Sequence, residues 1–136
     1  MSECQIVIGT TGVPNLIPPD MVRKGQIILA LSNPKPEIDP NEAVERGAIF
    51  SADGKSVNNV LGFPGIFRGA VDSRAPRITD EMLIAAVDVL VRETPTGELM
   101  PNPLDKKVHR EVARAVAQTA IRQGIARAEY VPYVED

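Results

Sequence analysis

The chain contains 136 residues, a length that suits one domain with a modest buried core. Hydrophobic residues make up 43% of the sequence and charged residues 24%, which excludes a wholly disordered chain. The net charge of −3 and the scattered basic residues exclude a basic surface for nucleic acid or an anionic membrane. The apolar runs are too short to span a bilayer, and the single cysteine, Cys4, predicts a reducing cytoplasm.

Three continuous apolar runs in the first half predict short strands that are covered on both faces. They are residues 5–8, 26–31 and 48–51. Residues 18–25 have the early prolines and the final glycine of a short helix. A second short helix is expected to start at Asp39, whose side chain can accept from first-turn amides, and to end at Gly47. Residues 1–57 are therefore predicted to form a βαβαβ part of the α/β class, half of a doubly wound parallel sheet.

The second half, residues 58–136, is predicted to be mainly helical. Thr79 can cap a helix over residues 80–92, whose apolar face Leu83 and Val87 are expected to broaden. Residues 108–123 have the pattern of an amphipathic helix that ends at Gly124, and His109 near its start is expected to face solvent. The polar row of that helix consists of Arg110, Arg114, Gln118 and Arg122. The expected architecture is a partial parallel sheet of about three strands, followed by C-terminal helices.

Asn33 is a candidate ligand-binding residue because it follows the second predicted strand. Ligands of open α/β sheets bind at the carboxyl ends of the strands, and an amide offers both a donor and an acceptor without adding charge. The alternative is that Asn33 caps a turn through its own backbone. Position alone leaves both interpretations open.

Gly9, Thr10, Thr11 and Gly12 follow the first predicted strand. Small residues there would let a dinucleotide pass close to the backbone, and the hydroxyls could bond a ribose or a phosphate. The segment is not a phosphate-binding fingerprint, since the sequence contains no Gly-x-Gly-x-x-Gly. Gly62, Gly65 and Gly69 have a different spacing and are expected to serve close helix packing. A plain turn explains the same residues.

Asn58 and Asn59 form an Asn-Asn pair, which is commonly found in turns. Here the pair follows the third predicted strand, so it is expected beside the end of the strand that carries Asn33. The sequence does not decide which of the two side chains faces inward.

Two other motifs flank this pair and complete a distinctive pattern. Asn-Asn-Val at 58–60 runs into Leu-Gly-Phe-Pro-Gly-Ile-Phe-Arg-Gly-Ala at 61–70, with Leu-Ser-Asn-Pro at 31–34 and Arg-Ile-Thr-Asp-Glu-Met at 77–82. Together these motifs resemble the NAD(P)-binding domain of bacterial-type malic enzymes. The resemblance implies the C-terminal part of that Rossmann-like domain, with the dinucleotide fingerprint lying upstream of the matched region.

The resemblance also implies a chemistry. Malic enzymes oxidatively decarboxylate (S)-malate to pyruvate and CO₂, with reduction of NAD or NADP and the help of Mg²⁺ or Mn²⁺. By position in the motifs, Asn33 and Asn59 would contact malate or the nicotinamide end of the dinucleotide, and Asn58 is the adjacent candidate. Gly9, Thr10 and Thr11 would lie in a loop that touches the cofactor.

The family's tyrosine–lysine pair and acidic metal cluster lie upstream of the matched region, so we assign no catalytic residue and no metal ligand to this chain. We therefore expect a fragment that is inactive alone. The alternatives are a stand-alone, non-catalytic module that binds a nucleotide or forms oligomers, and another dinucleotide-dependent dehydrogenase. Exposed strand edges and apolar helix faces predict a homo-oligomer in each case.

Overall fold

The structure is a computed structural model that describes residues 3–57 and 59–132, with residue 59 described by its backbone alone. The chain divides into two compact units, Met1–Asn58 and Asn59–Asp136. The first unit contains the strands and one short helix, and the second contains three longer helices. Within the described residues, no helix is both long enough and apolar enough to cross a membrane.

The first unit is built on a three-stranded sheet in which every strand pair is parallel. The strands are β1 (Ile6–Gly9), β2 (Ile27–Ala30) and β3 (Phe50–Asp53), arranged in the order β1-β2-β3. Their register aligns the last residues of the strands, so that Gly9 pairs with Ala30 and Ala30 with Asp53. The predicted parallel sheet of the α/β class is confirmed.

Helix α1 (Pro40–Glu45) lies between β2 and β3 in the chain, and its start follows the prediction. The carboxylate of Asp39 accepts hydrogen bonds from the backbone amides of Asn41 and Glu42, at 2.9 and 3.3 Å. These bonds satisfy donors that the first helical turn would otherwise leave free. The core of this unit consists of Ile17, Val22, Ile28, Ala30, Ile38, Ala43 and Ala48.

Two predicted elements of this unit are wrong in extent. The helix predicted over 18–25 is a single 3-10 turn, Pro19–Met21. It does not continue because the Arg23 amide donates to Oε1 of Gln26, at 2.8 Å, and not to a carbonyl of the preceding turn. The strand predicted at 48–51 begins two residues later than expected. Ala48 instead lies in the turn that follows α1, where its amide donates to the carbonyl of Ala43 at 3.1 Å.

The second unit packs three helices around an apolar core. They are α2 (Phe63–Asp72), α3 (Asp80–Glu93) and α4 (Lys106–Arg122), preceded by a 3-10 turn, Asn59–Leu61. The polar row predicted for α4 is exposed, and Val108, Val112 and Val116 on the opposite side are buried. Gly124 adopts a positive φ of 68°, the left-handed conformation that favours glycine after a helix.

The contact between α2 and α4 depends on the absence of side chains. A Cβ on Gly65 would lie 2.6 Å from Cγ1 of Val112, and one on Gly69 would meet the carbonyl oxygen of Ala113 and Cβ of Val116. The prediction of close helix packing is confirmed for Gly65 and Gly69. They are conformationally ordinary helical residues, so what requires glycine here is space.

Helix α3 starts as predicted but presents a narrower buried face. The Thr79 hydroxyl accepts from the Met82 amide at 3.3 Å, and the Met82 sulfur accepts from the Thr79 amide at 3.5 Å. Met82 thus takes the place of the Glu or Gln of a capping box. Leu83 and Val87, which were expected to widen the apolar face, are 42% and 54% exposed.

Candidate functional site

The carboxyl ends of the three parallel strands form one edge of the sheet. The chain leaves β1 through Gly9 and Thr10, β2 through Ser32 and Asn33, and β3 through Gly54. Because the last residues of the strands are in register, these exits are neighbours in space. This edge is where ligands of open α/β sheets bind, and it carries several of the residues that the sequence singled out.

The loop after β1 is tied to a carboxylate that the sequence analysis did not consider. The Thr11 amide and hydroxyl both donate to Oε1 of Glu37, at 2.8 and 2.9 Å. A Cβ on Gly9 would lie only 2.8 Å from Cδ of Glu37, so the small residue makes room for this side chain. Thr10, between them, is exposed. The loop therefore has an internal structural role, with Thr10 presented to solvent.

Ser32 connects the same carboxylate to the segment after β2. Its hydroxyl donates to Oε1 of Glu37 at 2.5 Å and accepts from the Gly12 amide at 2.8 Å. The Ser32 amide makes a longer contact of 3.4 Å to Oε2 of Glu37. Glu37 is 0% exposed, and four donor groups from two loops converge on it.

These hydrogen bonds determine the charge of Glu37. Burial by itself raises the pKa of a carboxyl, because it disfavours the charged form. The bonds from the Ser32 hydroxyl and from the amide and hydroxyl of Thr11 outweigh burial and lower the pKa of Glu37 from 4.5 to about 2. Glu37 is thus a carboxylate at neutral pH, and its negative charge is enclosed by donors.

Asn33 is exposed at the end of β2, and its side chain reaches the exit of β3. Its Nδ2 donates to the carbonyl oxygen of Gly54 at 3.3 Å. A Cβ on Gly54 would lie 2.7 Å from that nitrogen, so glycine permits the approach. One amide hydrogen therefore serves the loop, and the exposed position suits the ligand interpretation as well. In the described contacts this side chain bonds to another loop and not to the backbone beside Asn33, so the local turn cap is not observed, and the ligand role remains a prediction.

Asp53, at the end of β3, is a second strand-end carboxylate that sequence reasoning missed. It accepts from the Ser56 amide and hydroxyl and from the Lys55 amide, at 2.9, 2.8 and 3.1 Å. Burial raises the pKa of Asp53, and these bonds lower it by more, so the net direction is downward. An Asp followed by Gly is a turn signal, and that pattern could have identified the role.

The Asn-Asn pair cannot be placed in the same detail. Asn58 lies outside the described residues, as does the side chain of Asn59, whose backbone belongs to the 3-10 turn Asn59–Leu61. Their predicted contacts with substrate or cofactor remain predictions.

His109, in the second unit, differs from expectation. It was expected to face solvent, but it is half-buried and its Nε2 lies 2.8 Å from the carbonyl oxygen of Pro103. This bond holds the segment before α4 against the helix, which is a structural role. Among the described residues, no group of three or more His, Cys, Asp or Glu side chains is arranged to hold a metal ion.

Comparisons with known proteins address the identity of the fold. The family described as malic enzyme, NAD binding domain, matches residues 39–125. The chain belongs to this family. It is 57% identical over 121 residues to NAD-dependent malic enzyme 1 of Bacillus subtilis, a match that covers 89% of this chain and 28% of the relative. The resemblance stated from the sequence motifs is confirmed.

Two further similarities extend over nearly the whole chain. The crystal structure of a malic enzyme from Pyrococcus horikoshii matches with a TM-score of 0.79 and 41% identity, over 93% of this chain and 32% of that chain. The NADP-dependent malic enzyme of Halomonas elongata is 36% identical over 153 residues, covering 92% of this chain and 36% of the relative. The chain thus spans about a third of the length of these malic enzymes.

The described residues fit a dinucleotide at the strand-end edge. The exposed Thr10 and Asn33 offer uncharged hydrogen-bonding groups there, and the negative charge of Glu37 is enclosed by donors and does not face the edge. Polar neutral groups beside a shielded carboxylate suit the sugar and nicotinamide parts of a dinucleotide.

Proposed function

We propose that this chain supplies the dinucleotide side of the active site in an enzyme that oxidatively decarboxylates malate to pyruvate and CO₂. The observation that carries the proposal is the strand-end edge, where Thr10 and Asn33 are exposed in the segments that follow two adjacent parallel strands of a malic enzyme NAD-binding domain. At this edge the chain's own residues would bind and orient the dinucleotide, while a bound divalent metal would polarise the substrate oxygen.

Within the loop after β1, Thr10 is the residue we assign to direct cofactor contact. The Thr11 amide and hydroxyl already donate to Glu37, and the Gly12 amide already donates to Ser32. The exposed Thr10 hydroxyl is free of such a structural bond among the described contacts. Asn33 and Asn59 remain our candidates for the nicotinamide or malate, with Asn58 adjacent.

The cofactor we favour is NAD, since the 57% identical relative is named as an NAD-dependent enzyme. The Halomonas relative is named as NADP-dependent, so both cofactors belong in the assay. We also propose a homo-oligomer, because Ile6 and Ile8 on β1 are 56% and 61% exposed. The exposed single cysteine Cys4 fits a reducing compartment, and we propose the cytoplasm.

A chimera tests the proposed function directly. This chain would replace the matching segment of the Bacillus subtilis enzyme, and malate-dependent reduction of NAD and NADP would be followed with Mg²⁺ or Mn²⁺. We expect turnover by the chimera and none by the isolated 136-residue chain. A chimera that is folded and assembles like its parent, yet neither binds dinucleotide nor turns over, would overturn the proposal.

Asn59→Ala in the active chimera tests the asparagine pair. We expect lower turnover or weaker substrate affinity, with unfolding by denaturant almost unchanged, because a ligand-binding side chain contributes little to the fold. The matched control is Asn41→Ala, on an exposed position of α1. A large loss of stability with normal kinetics would contradict the ligand role of Asn59.

A further inference from the structure

Glu37 joins the two segments that exit β1 and β2. Its Oε1 accepts three hydrogen bonds, two from Thr11 and one from Ser32, at distances between 2.5 and 2.9 Å. Thr11 is separated from Glu37 by 26 residues along the chain, whereas Ser32 is separated by only five. The carboxylate is therefore a long-range tie between one loop and its neighbour.

The backbone of the same segment adds a second connection. The carbonyl oxygen of Glu37 accepts from the Ile17 amide at 3.0 Å, and that of Pro36 accepts from the Asn15 amide at 3.1 Å. These bonds align residues 15–17 beside residues 36–37. Because this connection is made by the backbone, it persists when the side chain of Glu37 is replaced.

A buried carboxylate such as Glu37 does more than fill a space in the core. Burying a charge is unfavourable unless hydrogen bonds compensate, and a well-packed apolar residue is often at least as stabilising. What a carboxylate adds is the ability to accept from several donors at one point and so to fix their positions. The donors at Glu37 belong to the two loops that carry the exposed Thr10 and Asn33.

We propose that Glu37 is a positioning residue for the dinucleotide: it holds the loop after β1 and the Ser32–Asn33 segment in the arrangement that binds the cofactor. This inference rests on the proposed function and deepens it. Glu37 is completely buried, so it acts through Thr11 and Ser32 and does not touch the ligand. Preorganised loops bind more tightly because less ordering remains to be done when the ligand arrives.

The test compares Glu37→Ala, Glu37→Gln and Ser32→Ala in the chimera. NAD affinity is measured by equilibrium titration, and KM and kcat by the malate assay. We expect Glu37→Ala to raise the Kd and KM for NAD by about tenfold, the factor equivalent to about 1.4 kcal/mol, with a smaller change in kcat. Ser32→Ala removes the hydroxyl that joins Glu37 to the Gly12 amide, so it should also raise the Kd and the KM for NAD.

Glu37→Gln is the conservative variant. Its amide oxygen can take the position of Oε1 and keep the three short bonds, while its NH₂ group replaces the oxygen that makes only the 3.4 Å contact. We expect its NAD affinity to lie much nearer to that of the unchanged chimera. A Glu37→Gln variant as weak as Glu37→Ala, with normal folding, would contradict the proposed geometry.

A destabilised control separates positioning from general stability. Val116→Ala empties a position in the core of the second unit that is 0% exposed. It is expected to lower stability by about 1–3 kcal/mol without changing the Kd for NAD at temperatures where the protein stays folded. If Val116→Ala lost as much NAD affinity as Glu37→Ala, the effect of Glu37 would be one of general stability, and the inference would be overturned.

Amide hydrogen exchange in the isolated chain gives a readout that needs no cofactor. In Glu37→Ala, the Thr11 and Gly12 amides should exchange faster, while those of α4 keep their protection. If the unchanged chimera fails to bind NAD, the proposed function fails. If it binds NAD and Glu37→Ala binds equally well, only the positioning role fails.

Discussion

The contact between α2 and α4 yields a prediction in which two opposing effects can be compared. Replacing a glycine inside a helix by alanine favours the helix by about 1 kcal/mol. At Gly69, however, the new Cβ would meet the carbonyl oxygen of Ala113 and would lie 2.8 Å from Cβ of Val116. A backbone oxygen cannot rotate away, so α2 and α4 must separate.

Overpacking of this kind typically costs about 1–3 kcal/mol. Because the clash at Gly69 is with a backbone atom, we expect the overpacking cost of Gly69→Ala to be about 3 kcal/mol. After the gain of about 1 kcal/mol in helix propensity, the free energy of unfolding should fall by about 2 kcal/mol. At Gly65 the nearest atoms are Cγ1 and Cβ of Val112, at 2.6 and 2.7 Å, and the carbonyl oxygen of His109 lies at 3.0 Å. The Val112 Cβ moves only with its backbone, but the backbone oxygen is farther away than the one at Gly69, so Gly65→Ala should cost somewhat less than Gly69→Ala.

Urea unfolding followed by circular dichroism measures both losses. Val71→Ala is the control, since Val71 lies on the same helix and is 69% exposed. It should change the free energy of unfolding by about 0.5 kcal/mol or less. If Gly69→Ala raised the free energy of unfolding, the gain in helix propensity would exceed the cost of overpacking. That result would contradict the close contact between α2 and α4 at this residue.

Two further predictions concern the side chains of Thr79 and Glu37. Thr79→Ala should lower the free energy of unfolding by about 1 kcal/mol in the same urea assay, because the Met82 amide loses its acceptor. Glu37 should make the chain acid-sensitive: its pKa in the folded state, about 2, lies below the ordinary 4.5, so its stabilisation is fully present above pH 4.5 and is lost as the pH falls towards 2. At about 1.4 kcal/mol per unit this amounts to about 3 kcal/mol, and Glu37→Gln should show a correspondingly flatter dependence of unfolding on pH.

Local signals predicted the helices well. The Thr79 cap, the row of arginines on α4 and the left-handed Gly124 are all properties of a residue and its close neighbours in the chain. The same holds for the Asp39 cap of α1. Where the interactions that define an element lie within a few residues, the sequence contains the information needed to locate it.

Predictions failed where another segment decides the outcome. The helix expected over 18–25 shrinks to one turn, in part because the Gly25 amide donates to the carbonyl of Gly47, at 2.9 Å. The exposure of Leu83 and Val87 likewise depends on which side of α3 its neighbours cover. A hydrophobic pattern shows that a face is apolar, but it does not show how much of that face is covered.

The loop after β1 shows why its role is the hardest to predict. Glycines and threonines after a strand suit a dinucleotide, and they suit a buried carboxylate for the same reasons: small size and available donors. The sequence does not distinguish the two acceptors, because Glu37 lies 26 residues away from Thr11. Since the Thr11 and Gly12 donors are engaged by Glu37 and Ser32, any direct bond from this loop to the cofactor falls to Thr10. Thr10→Ala should therefore weaken NAD binding and leave the pH dependence of unfolding unchanged, whereas loss of Glu37 should change both.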